Sequence, residues 1–561
     1  MTKAMGSRCV TLMAAAVAAA CGAGGCAGDD DDGAVADRDA HVGAAADGDQ
    51  EVAAALSERG TARHRLVAPL SGAVVGARRP RVTWSGAGRA RVDFCHDSAC
   101  GRVIASVTTS ESTARPPRPL PPGPVFWRVR DDGHGVHGRR LQPHASATWV
   151  MFVPHGEPDA PRSVVGVRLD VDRDGFADGA LREESSSQPV DRLHIHLGGR
   201  DGLAAAPAQV LPLGEAHGFG RASAVGDVNG DGHGDVAVGN ENGEIWIFFG
   251  ARGGVRPTPA IVVDPLLDPA APHLSFWFEL HAAGDVNGDG YGDFTAKGRS
   301  SFLFYGGAGG PNPVPAWQAG PGQEIVGTGD VNGDGFGDIL VAEPNGDAGR
   351  RILVLAGSDA GVSTTPLVVM PKVDASLVAD VGDVNGDGYA DVFVQLFIPL
   401  VAANVTHMHL GGPAGPGALP DNLFPFRGLP RGDFNGDGFA DVVATIAVAQ
   451  DSLFYTDDAV DIYPGNAGGI AATATLRLEE EAPAFMGDIL NFFDPTQAAD
   501  FDDDGYDDLP ITAAPSYPTP FYDERPSKVF IVRGGASGLA SEPALTLSGA
   551  PGYGVAFTAG D

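Results

Sequence analysis

Aspartate, asparagine and glycine recur in this chain at a spacing that suits a hard cation. The pattern Asp-x-Asn/Asp-x-Asp-Gly-x-x-Asp occurs seven times in 561 residues, beginning at Asp170, Asp227, Asp285, Asp330, Asp383, Asp433 and Asp500 (loops 1 to 7). The candidate ligands are Asp170, Asp172, Asp174 and Asp178 in loop 1, and Asp227, Asn229, Asp231 and Asp235 in loop 2. Loops 3 and 4 offer Asp285, Asn287, Asp289 and Asp293, then Asp330, Asn332, Asp334 and Asp338. Loops 5 and 6 offer Asp383, Asn385, Asp387 and Asp391, then Asp433, Asn435, Asp437 and Asp441. Loop 7 offers Asp500, Asp502, Asp504 and Asp508. Short oxygen side chains at positions 1, 3 and 5 converge when the Gly at position 6 allows a sharp turn. The carbonyl of position 7 and the carboxylate of position 9 can then complete an all-oxygen shell. That shell matches calcium by ligand chemistry, so the expected cofactor is Ca2+ at about seven sites.

An EF-hand opens the same way but places a bidentate Glu at position 12. Here position 12 is Leu181, Val238, Ala296, Val341, Val394, Ala444 and Ile511, all apolar. The residues that follow each loop, such as Asp235-Val236-Ala237-Val238-Gly239, read as strands, so the loops are expected in β-hairpins.

A second shared feature lies downstream of each loop, an apolar strand running into glycine. Examples are Trp246-Ile247-Phe248-Phe249-Gly250, Leu353-Val354-Leu355-Ala356-Gly357 and Phe530-Ile531-Val532-Arg533-Gly534. A variable fourth strand follows, as in Ala260-Ile261-Val262-Val263. Four-stranded units at this period must cover their faces by stacking on neighbours. With Phe219-Gly220 ahead of Asp227 and Tyr553-Gly554 ahead of Asp561, residues 158–561 resemble the FG-GAP (integrin α-like) β-propeller family, whose bacterial members are also described as VCBS-type repeats. The resemblance implies an all-β fold, a seven-bladed propeller with calcium at the rim of one face. The sequence after Gly552 repeats the lead-in to a loop and stops at Asp561. It reads either as the start of an eighth repeat or as a strand that pairs into the first unit.

Residues 1–21 read as a lipoprotein signal, with Ala18-Ala19-Ala20 before a lipidated Cys21 and Cys26 as a second choice; a plain secretory signal is the alternative. Residues 22–61, acidic and Ala/Gly-rich, read as a tether. Alternating strands in residues 62–155 resemble a small fibronectin type III or immunoglobulin-like β-sandwich, in which Cys95 and Cys100 could form a disulfide. The protein is therefore expected to be exported, as an outer-membrane or cell-surface lipoprotein, or else secreted or periplasmic. It meets a membrane only through a lipid anchor.

The formal charge of −34 and the lack of a basic patch argue against nucleic acid as a partner. Seven divalent ions would carry +14 against it, leaving about −20, so much of the acidity is assigned to ligands. Arg431-Gly432-Asp433 spells an adhesive tripeptide, but Asp433 is already position 1 of loop 6. The pairs His194/His196 and His407/His409 each lie on one strand face and read as packing. No catalytic motif stands out, and no catalytic residue is nominated. The expected function is recognition or adhesion, through an extracellular polysaccharide or protein ligand. The alternatives are an enzyme or enzyme subunit acting on extracellular polysaccharide or lipid, and a passive spacer.

Overall fold

Loops 2 to 7 each turn the chain between two antiparallel strands. In the computed structural model, loop 2 joins Phe219–Gly226 to Asp235–Asn240, and the sheet continues through Glu244–Phe248 to Ala260–Val263. The structure describes residues 64–131, 145–153, 167–183, 190–263, 279–446, 459–479, 490–515, 528–548 and 555–559, apart from single positions and short stretches within them. Cys21, Cys26, the tether and the histidines between residues 132 and 166 lie outside the described residues.

Loops 3 to 7 head sheets with the same strand order, so the described residues hold seven four-stranded antiparallel sheets of a propeller-like blade pattern. Their second and third strands are short runs of Val, Ile, Leu and Phe, which favour a pleated surface buried on both faces. The sheet of loop 1 is assembled differently. Its first place is taken by Val555–Thr558, which pairs antiparallel with Gly179–Glu183, with Phe557 opposite Leu181. This is the pairing foreseen by the second reading of the C-terminal segment.

Apolar cores lie between successive sheets. Leu193 and Ile195 pack with Phe219 and Val238, and Ile245 and Ile247 pack with Phe294 and Phe302. The last sheet meets the first in the same way, Phe501, Val529 and Ile531 packing with Leu181 and Phe557. Among the described residues, no helix is long and apolar enough to cross a membrane.

Ahead of these sheets, strands between residues 65 and 153 form one sheet of three and one of five. One core, including Leu66, Trp84, Phe94, Trp127 and Met151, is drawn from both. Cys95 and Cys100 are bonded, with Cα atoms 5.1 Å apart. Strands Arg65–Ala68, Ala73–Val74 and Thr113–Ala114 were not foreseen from the sequence, being too short to show alternation.

Candidate metal centre

The loop side chains are held by a pattern of backbone hydrogen bonds that recurs from loop to loop. In all seven loops the N–H of position 5 donates to Oδ1 of the position-1 aspartate, at 3.0–3.2 Å. The N–H of position 7 donates to Oδ1 of the position-5 aspartate, as Tyr291 does to Asp289 at 3.1 Å. These are side-chain turns, which Asp and Asn form readily. In loops 3 to 6 the position-3 amide also donates to the position-5 carboxylate, for example Asn332 to Asp334 at 3.1 Å.

Position 9 has a second role. Oδ2 of Asp293 accepts the N–H of Val286 at 2.8 Å, and its Oδ1 accepts the N–H of Gly306 at 2.9 Å. Gly306 is the glycine that ends the third strand. The equivalent glycines, from Gly198 to Gly534, make the same bond to Asp178, Asp235, Asp338, Asp391, Asp441 and Asp508. Only glycine fits there, because a Cβ on Gly306 would lie 2.4 Å from the carbonyl oxygen of Gly292. The sequence displayed these glycines without revealing their work.

Neighbouring loops are joined backbone to backbone. The N–H of position 8 donates to the position-1 carbonyl of the preceding loop: Gly234 to Asp170, Gly292 to Asp227, Gly337 to Asp285, Ala390 to Asp330, Ala440 to Asp383 and Asp507 to Asp433. The series returns from loop 7 to loop 1, where Ala177 donates to the carbonyl of Asp500 at 3.4 Å. An aromatic side chain at position 7 also covers the position-4 glycine of the loop before it, as Tyr291 covers Gly230 and Phe336 covers Gly288.

This arrangement crowds carboxylates out of water. Burial first, and the neighbouring carboxylate next, pushes Asp285 and Asp330 up to about 7 and Asp338 up to about 8. Asp178, Asp235 and Asp293 lie well above the usual carboxylate range for the same reasons. In loops 1 and 7, where position 3 is also aspartate, three carboxylates come within reach of one ion: Asp170, Asp172 and Asp174, and Asp500, Asp502 and Asp504. Oδ1 of Asp172, Oδ1 of Asp502 and Oδ2 of Asp508 are buried without a hydrogen-bond donor. Acceptor oxygens in that condition fit a cation, and an all-oxygen donor set fits calcium better than zinc or copper.

Three arginines near the loops escaped the sequence analysis, since nothing in their spacing marks them. Arg256 pairs with Asp231 at 2.8 Å and Arg533 with Asp502 at 3.0 Å. Arg173 is position 4 of loop 1. Asp433, 3% exposed, accepts the N–H groups of Asp437 and Gly438, so the Arg431-Gly432-Asp433 tripeptide does not present its carboxylate. His196 and His409 are buried and bonded to the carbonyls of Ala204 and Gly417.

The geometry agrees with comparisons to known proteins. A family profile described as the FG-GAP repeat matches residues 219–248, and one described as an FG-GAP-like repeat matches residues 330–394. Integrin alpha-PS5 of Drosophila melanogaster is 34% identical over 103 residues, 17% of this chain and 10% of that protein. Integrin alpha-PS3 of the same organism is 39% identical over 94 residues, 16% of this chain and 8% of that protein. Integrin alpha-IIb of Homo sapiens is 30% identical over 149 residues, 25% of this chain and 13% of that protein. The chain thus spans about a tenth of the length of these relatives. It carries FG-GAP-like repeats homologous to repeats of integrin α chains.

Proposed function

We propose that the chain is an exported recognition or adhesion protein, built as a seven-bladed propeller braced by calcium and preceded by a fibronectin type III or immunoglobulin-like β-sandwich. The observation that carries this reading is the run of loop-to-loop hydrogen bonds that starts at loop 1 and comes back to it from loop 7. Bound calcium would supply the positive charge that lets several buried carboxylates stay ionised together. The chain does the rest: positions 1, 3, 5 and 9 hold the oxygens, and the position-9 carboxylate and strand-end glycine fix the hairpin to its own sheet. Rigid loops side by side make a surface on which a protein or polysaccharide can dock. The likeness to repeats of integrin α chains supports recognition over catalysis. Lipidation at Cys21 would tether this surface to a membrane.

The test exposes residues 66–561 to a panel of polysaccharides and surface proteins, with about 2 mM calcium, in the range suited to extracellular modules, and with chelator. Retention on one ligand class, lost in chelator, is the expected result. A folded, calcium-loaded protein that retains nothing would contradict the recognition reading.

A further inference from the structure

Phe126 lies on the wrong side of its strand for the core of its own unit. Its neighbours Val125, Trp127 and Val129 point into the core shared by the two N-terminal sheets, so alternation turns Phe126 outward. It is nonetheless 1% exposed. On one side it packs with Val150 and the Cys95–Cys100 disulfide. On the other it meets the acidic loops. The guanidinium carbon of Arg173 lies 4.7 Å from the ring centroid, and a Cβ on Gly232, position 6 of loop 2, would be 2.1 Å from the ring.

Arg173 completes the contact. Loops 2 to 6 have glycine at position 4, with φ between 68° and 71°; loop 1 has arginine there at φ 63°, a conformation that L side chains rarely adopt. Its guanidinium donates to the carbonyl of His96, inside the disulfide loop, and to the carbonyl of Asp231 in loop 2 at 3.2 Å. One side chain therefore ties together loop 1, loop 2 and the N-terminal unit.

We infer that loops 1 and 2 form a seat for the N-terminal unit, with Arg173 as its clasp, and that divalent-cation loading of these two loops opens it. The cation control rests on the calcium reading above. Its direction follows from charge. Asp170, Asp227 and Asp231 act on the guanidinium together with Asp97 of the disulfide loop. The carboxylates hold the charged guanidinium where it sits, against Phe126 and the His96 carbonyl. Ions bound among them offset that attraction and repel the guanidinium, so loading loosens the seat. A seated unit covers loops 1 and 2 and leaves loops 3 to 7 for an external ligand.

Small-angle scattering of the full chain, with calcium and with chelator, tests the seat. The radius of gyration of the wild type is expected to fall on chelation. Arg173→Gly, which restores the residue of loops 2 to 6, is expected to show the larger value even in chelator, with calcium stoichiometry by calorimetry unchanged. Phe126→Ala should behave likewise. Arg173→Gly as compact as wild type in chelator would overturn the seat. A wild type that binds calcium by calorimetry, yet keeps its radius on chelation, would overturn the cation control. If calorimetry shows no calcium binding, the calcium reading and the control fall together, and Arg173→Gly still decides the seat.

Discussion

The position-9 aspartate does two jobs that mutation can separate. Asp293 anchors the N–H groups of Val286 and Gly306, whereas Asp289 belongs to the proposed ion site and is only half-buried. Asp293→Ala leaves two buried donors unpaired, so it should cost about 2–4 kcal/mol in chelator as well as in calcium. Asp289→Ala should lower stability mainly in calcium. Denaturant melts under both conditions check this, and equal losses for the two variants in chelator would contradict it. The same carboxylates set a pH dependence. Burial raises Asp330 to about 7 and Asp338 to about 8, above the ordinary value of 3.8, so the native state binds more protons than the unfolded chain between those limits. Each group's contribution is complete below its unfolded value and is lost as pH rises through its folded value. In chelator, stability should therefore fall from about pH 4 to about pH 8, and saturating calcium should flatten or reverse the slope. Melts at several pH values decide it; stability rising with pH in chelator would contradict the account.

At the scale of the element, hairpin and third strand form one unit joined through glycine. Gly357 shows how little room the joint leaves, since a Cβ there would lie 2.3 Å from the Gly337 carbonyl oxygen and 2.7 Å from that of Val286. Both atoms are backbone, in two different loops. Gly357→Ala should therefore destabilise by roughly 2 kcal/mol or more, seen as a lowered thermal midpoint. An unchanged midpoint would mean that the joint is loose. Much of this element was legible in the sequence. The ligand spacing located the hairpins, the apolar position 12 excluded an EF-hand, and the strands from Trp246 and Phe530 were read in place. Other parts were not legible because they depend on contacts between distant residues. The pairing of Phe557 with Leu181, the donation of Gly234 to Asp170 and the reach of Arg173 to His96 link residues whose types carry no local signal. Ala73–Val74 was invisible because two residues are too few to show alternation; it is a strand only by pairing with Trp149–Val153.

For the whole molecule, the loops act as a connected belt rather than as separate sites. Each is bonded to the next, and the last to the first, so an ion bound in one loop would stiffen the backbone that its neighbour hangs on. Calcium and global stability are therefore expected to be linked, with the gain growing as the loops fill. The aspartates at position 3 in loops 1 and 7 are expected to be additions to a common site, not the mark of the only sites. Calcium stoichiometry tests this most directly, measured by calorimetry on the folded full chain after chelator has been removed, with a thermal melt at each ratio. About seven ions per chain, with a midpoint that climbs across the titration, is the predicted result. Binding that stops at two ions, or saturates without raising the midpoint, would contradict it.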